Sequence, residues 1–287
     1  MLLIFMLFTI ECSGKKLPLR VIGGESSEDY PYVVRLEVQH IANFTNNNTI
    51  VAKHDHVCSS VALSPTWALT AAHCLNDLNF FFLGAPYTVE KLIIRHGHVD
   101  DSPWIEGSFS DVISIITHPL FSYTFDDYNS NPIIKNDVGL MKTTPMDLEN
   151  YIKLSAVDFF SLYGHEAIFA GYGLAMQKNP TGITETHDTL MLKKPLQILK
   201  VLISRCLNGG LLEPALCLAS KCGQVATTCP GDTGGPLIHP SGIVGILGVS
   251  DLSMYCYDKN VKRPGDITGI VAPIGPYIEW IYDHMSS

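Results

Sequence analysis

From Val21 onward the chain is built of short apolar runs, each closed by Gly, Pro, Asn or Asp. Tyr32–Val38, Val61–Thr70, Lys91–Gly97, Ala167–Tyr172, Leu237–His239 and Ile243–Val249 are examples. Runs this short, with turn residues this frequent, predict the strands of an all-β sandwich or barrel. The last segment changes period. Tyr277, Ile278, Ile281, Tyr282 and Met285 recur at helical spacing, so Pro276–Met285 is expected to be an amphipathic helix with proline in its first turn. At the other end, residues 1–10 are continuously apolar but too short to span a bilayer. Small residues follow at Cys12, Ser13 and Gly14. Residues 1–14 therefore read as a secretory signal peptide, and the basic residues 15–20 as a removable segment ending at Arg20. No other stretch is long enough for a transmembrane helix, and no internal repeat is visible.

Composition narrows the classes. The 287 residues are 46% hydrophobic and 16% charged, which excludes disorder as the main state and supplies a sizeable core. The length fits one large domain or two small ones packed together. Acidic residues outnumber basic ones 28 to 19, a net charge of −9 that becomes more negative once residues 1–20 are removed. A general nucleic-acid or heparin-binding face is excluded, as is attraction to an anionic membrane surface.

Secretion makes the cysteines readable as disulfides. Of the eight, Cys12 lies in the signal segment, leaving Cys58, Cys74, Cys206, Cys217, Cys222, Cys229 and Cys256. An odd number leaves one thiol free or paired with another chain. The polar stretch Asn43–Asn48 reads as an exposed loop with two glycan acceptor sites, at Asn43 and Asn47. Phe125–Lys135 reads as a second exposed loop. The pairs His54/His56 and His96/His98 each share a strand face, but no third ligand accompanies them, so solvent-facing histidines are the expected reading rather than a metal. Asp100–Asp101 is too sparse for a calcium loop. No phosphate-binding glycine loop and no Cys-x-x-Cys zinc pattern is present.

Four motifs in fixed order carry the chemistry. They are Arg20-Val21-Ile22-Gly23-Gly24, Thr70-Ala71-Ala72-His73-Cys74, Asn136-Asp137-Val138-Gly139-Leu140, and Cys229-Pro230-Gly231-Asp232-Thr233-Gly234-Gly235-Pro236. Together they resemble the chymotrypsin-like (trypsin) serine peptidases, and the resemblance covers nearly all of Val21–Trp280. Gly171-Tyr172-Gly173, Pro264-Gly265 and Glu279-Trp280-Ile281 are lesser matches. The resemblance implies two antiparallel six-stranded Greek-key barrels closed by a C-terminal helix, with the site in the cleft between them. The N-terminal barrel is expected at about 21–150, the C-terminal barrel at about 151–275 and the helix at about 276–285.

The resemblance also implies roles. His73 matches the base that takes a hydroxyl proton, and Asp137 the buried carboxylate that orients it. The oxyanion donors are the backbone N–H groups of Gly231 and Thr233. Cleavage after Arg20 would free an ammonium on Val21 to pair with buried Asp232 and order the loop. Disulfides are implied at Cys58–Cys74, Cys206–Cys217 and Cys229–Cys256. The first closes about 16 residues and contributes roughly 3 kcal/mol in the chain-entropy account. Cys222 is left over, as a free thiol, an intermolecular link or the sign of a shuffled pairing. No cofactor and no metal is implied.

The sequence departs from the family where it matters most. Thr233 stands where the family has its nucleophilic serine. The hydroxyl remains, but a methyl shares its carbon and χ1 is restricted. A displacement of about 1 Å costs about 10²-fold in rate, and loss of a nucleophile on the order of 10⁶-fold. Threonine nucleophiles elsewhere are N-terminal and use their own amine as base, which an internal Thr233 cannot do. Gly248-Val249-Ser250 aligns with the family's Ser-Trp-Gly run, so Asp137 loses a hydrogen bond and the groove an aromatic wall. Thr227 stands at the base of the primary specificity pocket, where trypsin-type enzymes carry aspartate, and Lys or Arg finds no charge partner there. Gly248, Ser250 and Gly265 are expected to line that pocket. Pro230 replaces a longer polar side chain at its entrance.

Three readings follow. The first is a secreted protease homolog with little or no peptidase activity, binding or regulating other proteins, such as proteases or their inhibitors, and processed by an activating protease at Arg20. The second is an endopeptidase that uses Thr233 slowly on few substrates. The third is a structural or storage glycoprotein that keeps only the fold. The 64-residue interval from His73 to Asp137 is long for the family, and its loops are candidates for binding specificity.

Overall fold

The computed structural model describes residues 25–26, 29–44, 49–76, 88–97, 108–125, 132–173, 196–206, 211–221, 227–250 and 265–286. The first half of the chain supplies strands β1 (Glu25–Ser26), β2 (Val33–Phe44), β3 (Thr49–Ser64), β4 (Trp67–Thr70), β5 (Thr88–His96), β6 (Ser108–Thr117), β7 (Ser122–Phe125), β8 (Pro132–Lys135) and β9 (Gly139–Thr143). The second half supplies β10 (Glu166–Gly171), β11 (Gln197–Ser204), β12 (Leu212–Glu213), β13 (Leu216–Ser220), β14 (Pro236–His239), β15 (Gly242–Ser250) and β16 (Ile267–Pro273). Among the described residues two α-helices join them, α1 (His73–Asn76) and α2 (Ile278–Met285).

Two closed six-stranded antiparallel barrels result. The first runs β2-β3-β4-β9-β6-β5. The second runs β11-β10-β14-β15-β16-β13 and closes through β11–β13. In β2 the alternation of the pleat puts Val34, Leu36 and Val38 into the first core, with Leu69, Ile94 and Leu140. Arg35 and Glu37 lie on the other face and are also fully buried. The Arg35 guanidinium sits 4.5 Å from the Tyr172 ring centroid, and Glu37 accepts two 2.9 Å bonds from Arg95 Nε. The second core is built on Phe169, Leu199, Val201, Leu218, Leu237 and Val271.

Three local expectations are corrected. Val61–Thr70, read as one strand, is a hairpin, since β3 turns at Pro65-Thr66 and returns as β4 with Ser64 opposite Trp67. β2 and β3 stay paired out to Phe44↔Thr49, so Asn43 lies in a strand rather than a loop, while Asn47 is outside the described residues. The 125–135 stretch contains β8, which is paired on both sides.

Two arrangements join the halves. β12 of the second half pairs in parallel with β8, which pairs with β7. The chain ends also cross over. β1 is an edge strand on β11 of the second barrel, with Glu25 opposite Ile198. α2 and the turn before it bury Tyr277 and Ile281 in the core that holds Val138, Leu140 and Met141. The Tyr277 and Trp280 rings both stand 5.1 Å from His118.

Candidate functional site

β4 ends at Thr70, the chain passes through Ala71-Ala72, and α1 opens on His73. The disulfide Cys58–Cys74 ties this turn to β3. Opposite, Asp137 sits between β8 and β9 at the point where β12 crosses. Asn136 donates its backbone N–H to Glu213 O at 2.9 Å, and its side chain donates to Leu120 O at 2.8 Å and accepts from Tyr277 Oη at 3.1 Å. Asn136 adopts φ 52°, in the left-handed region that asparagine tolerates. At Gly139 an added Cβ would stand 2.7 Å from Leu75 Cδ1, so glycine lets β9 start tight against α1.

His73 and Asp137 meet twice. The His73 backbone N–H donates to Asp137 Oδ1 at 2.9 Å, and Nδ1 donates to Oδ2 at 2.7 Å. The carboxylate is fully buried and the imidazole 14% exposed. The second bond fixes the tautomer: Nδ1 carries a proton, leaving Nε2 as the basic nitrogen. Gly248 lies beside this pair. A Cβ there would stand 3.0 Å from Asp137 Oδ2 and 2.9 Å from Leu212 Cδ2, so the Leu212 methyls fill space next to the carboxylate. Among the described residues His73 supplies both hydrogen bonds to Asp137. Burial, with the Asp137 charge second, pushes the Tyr277 phenol well above its ordinary range, so it stays a neutral donor.

The loop Cys229–Gly235 has an orderly amide count. The N–H groups of Cys229, Asp232, Gly234 and Gly235 donate to Asp232 Oδ2, Cys229 O, Leu247 O and Asp232 O, at 2.8, 3.0, 2.8 and 3.0 Å. Position 230 is proline. The two amides left, those of Gly231 and Thr233, have no acceptor among the described residues. They are the two expected to face an oxyanion. Gly231 and Gly234 take φ 90° and 82°, and a side chain at Gly234 would collide with Thr70 Oγ1 and Ser59 O.

Asp232 is buried, and its Oδ1 accepts from Gly173 N at 2.7 Å. Its expected partner, Val21, and the scissile Arg20 lie outside the described residues. Thr227 is buried, with Oγ1 at 3.4 Å from both Thr228 O and Thr268 O. Ser250 pairs with Gly269 across β15–β16, and a Cβ at Gly269 would stand 2.7 Å from Thr228 Oγ1. The glycine against Thr228 is therefore Gly269. Gly265, expected to line the pocket, is at a turn of φ 89°, and among the described residues an added Cβ there would meet nothing within 4 Å.

Cys206–Cys217 is formed, and Cys229 is disulfide-bonded, while Cys222 and Cys256 lie outside the described residues. His56, expected to face solvent, turns inward. Its Nε2 donates to Gly231 O at 2.9 Å, and its Nδ1 is buried without a partner. Burial, with Arg35 second, pushes its pKa down to about 4, so the ring is neutral at pH 7. His54 lies 3.8 Å from Glu37. His96, also expected to face solvent, is buried and bonds Ser110 Oγ at 3.0 Å, while His98 lies outside the described residues. Among the described residues no cluster of three or more His, Cys, Asp or Glu is placed to hold a metal. Ser59, unmarked in the sequence, reaches the same loop, with its N–H on Thr233 O at 2.8 Å and its Oγ on Gly231 O at 2.9 Å.

Comparisons with known proteins identify a family and a fold. A family model described as Trypsin matches residues 21–281. The chain is 25% identical to human transmembrane protease serine 5 over 280 residues, covering 95% of this chain but only 53% of that protein. It is 26% identical to human granzyme M, covering 93% of this chain and 90% of that one, and 28% identical to rat granzyme M, covering 98% and 95%. Among solved structures it is similar to neuropsin, a serine protease expressed in the limbic system of mouse brain. That match has a TM-score of 0.59 and 20% identity, and covers 91% of this chain and 98% of that one.

Proposed function

Because the chain belongs to the trypsin family, we propose that it is a secreted protease homolog with little or no peptidase activity, acting as a binding or regulatory partner in extracellular proteolysis. What supports this reading is Thr233, which we take to stand at the nucleophile position, in a loop whose Gly231 and Thr233 amides have no acceptor among the described residues. Gly248 supports the same reading, since Asp137 has hydrogen bonds from His73 alone among the described residues. The base of the candidate pocket carries Thr227 and Thr228, so the cleft suits peptides with uncharged side chains at that position. Among the described residues no helix is long and apolar enough to cross a membrane.

The 2.7 Å contact of His73 with Asp137 favours a second reading, in which Thr233 still acts as a slow nucleophile. The test is a matched assay of the wild type and Thr233→Ser, both cleaved after Arg20, on a broad peptide library. The expected result is cleavage by the serine variant only, with wild-type rates at least about 10²-fold lower. Comparable cleavage by both would establish a threonine-using peptidase. Cleavage by neither would place the defect in Gly248 and the pocket as well.

A further inference from the structure

We propose that Ser59 is a positioning residue, whose hydroxyl holds the candidate oxyanion loop in the geometry that makes both donors converge. The inference rests on reading Gly231 and Thr233 as those donors. Ser59 is fully buried in β3, immediately after Cys58. It makes four hydrogen bonds. Its N–H donates to Thr233 O at 2.8 Å, and its Oγ donates to Gly231 O at 2.9 Å. Its Oγ accepts from Tyr172 N at 2.9 Å, and its carbonyl accepts from Thr70 Oγ1 at 2.9 Å.

One residue of the first barrel thus grips the carbonyls of both residues whose amides are open. The grip matters most at Gly231. With φ 90° and no side chain, its peptide units have more rotational freedom than any neighbour's, and the N–H direction depends on holding them. The Asp232 N–H bond to Cys229 O fixes one edge of the Gly231–Asp232 peptide plane, and the Ser59 hydroxyl fixes the other. Tyr172 N–H fixes the hydroxyl in turn, because an oxygen that accepts from one side directs its proton to the other. His56 Nε2 donates to the same Gly231 carbonyl, so the loop is held from two positions on one strand.

The test uses the full chain cleaved after Arg20. Ser59→Ala and Ser59→Gly each remove the hydroxyl and keep the N–H bond to Thr233 O. In a Thr233→Ser background, the expected result is a fall in kcat of about 10- to 100-fold with KM unchanged, since the lost geometry matters at the developing oxyanion. Unchanged kcat, or kcat and Tm falling together while KM rises, would make Ser59 merely a packing residue and overturn the proposal.

If the Thr233→Ser parent does not cleave, Thr233 is not the sole silencing change, but Ser59 remains testable by binding. The probes are acetyl-Ala-Ala-Pro-Leu with a free carboxylate and the same peptide as its amide. The expected result is that either Ser59 variant loses about tenfold in affinity for the carboxylate and nothing for the amide. An unchanged ratio, or a parent that binds neither peptide, would overturn the proposal.

Discussion

At position 248 an added Cβ would stand 3.0 Å from Asp137 Oδ2 and 2.9 Å from Leu212 Cδ2. A serine restored there meets a space already taken by leucine methyls. Gly248→Ser is expected to cost about 1–3 kcal/mol through overpacking. Leu212→Ala alone costs about 2–5 kcal/mol by leaving a cavity. The double variant is expected to be more stable than the sum of the two losses, by at least about 0.5 kcal/mol in urea unfolding. Strict additivity would mean that the two side chains do not share the space. Leu212 also shows what was hidden at this scale. His73, Asp137 and the Cys229–Gly235 turn were legible because each lies inside a short run of its own motif. Leu212, Gly269 and Ser59 act through neighbours far away in sequence, and no local pattern marks them.

Strand β3 does more than line a barrel. Through His56 and Ser59 it holds the Gly231 carbonyl, which belongs to the other half of the chain. Burial of His56 gives this clasp a pH dependence. Its pKa is about 4 in the folded chain against 6.5 ordinarily, so between those values the unfolded chain binds more protons. Stability from this group is complete above pH 6.5 and is lost as the pH falls toward 4. His56→Gln keeps an N–H for Gly231 O and removes the titration. Its unfolding free energy is expected to fall less steeply over that window, by up to about 1.4 kcal/mol per pH unit. Urea unfolding at pH 7 and pH 5 checks this, and equal slopes would remove His56 as the cause. Element types were readable from run length and turn residues, and α2 from its spacing. Boundaries were not. The Pro65 turn split one expected strand into two, and the β2–β3 hairpin ran to Phe44↔Thr49 because cross-strand pairing continues through polar residues.

At the scale of the whole molecule, two barrels were expected from the motifs, and two barrels form. The exchange of chain ends between the two halves was not readable, because β1 is two residues long and carries no periodic signal. That exchange changes what the connection between the barrels is for. Asp147, Glu149 and Asn150 are partly or fully open to solvent there, within reach of a protease. Each half holds a surface element of the other: β1 caps the second barrel and α2 covers the first. A cut in this connection therefore severs the polymer without separating the molecule. The nicked protein is expected to elute from a sizing column at the position of the intact one, and to resolve into two fragments only in denaturant. Dissociation in native buffer would rule this out. The halves would then be described as obligate partners, a heterodimer that happens to be made as one chain.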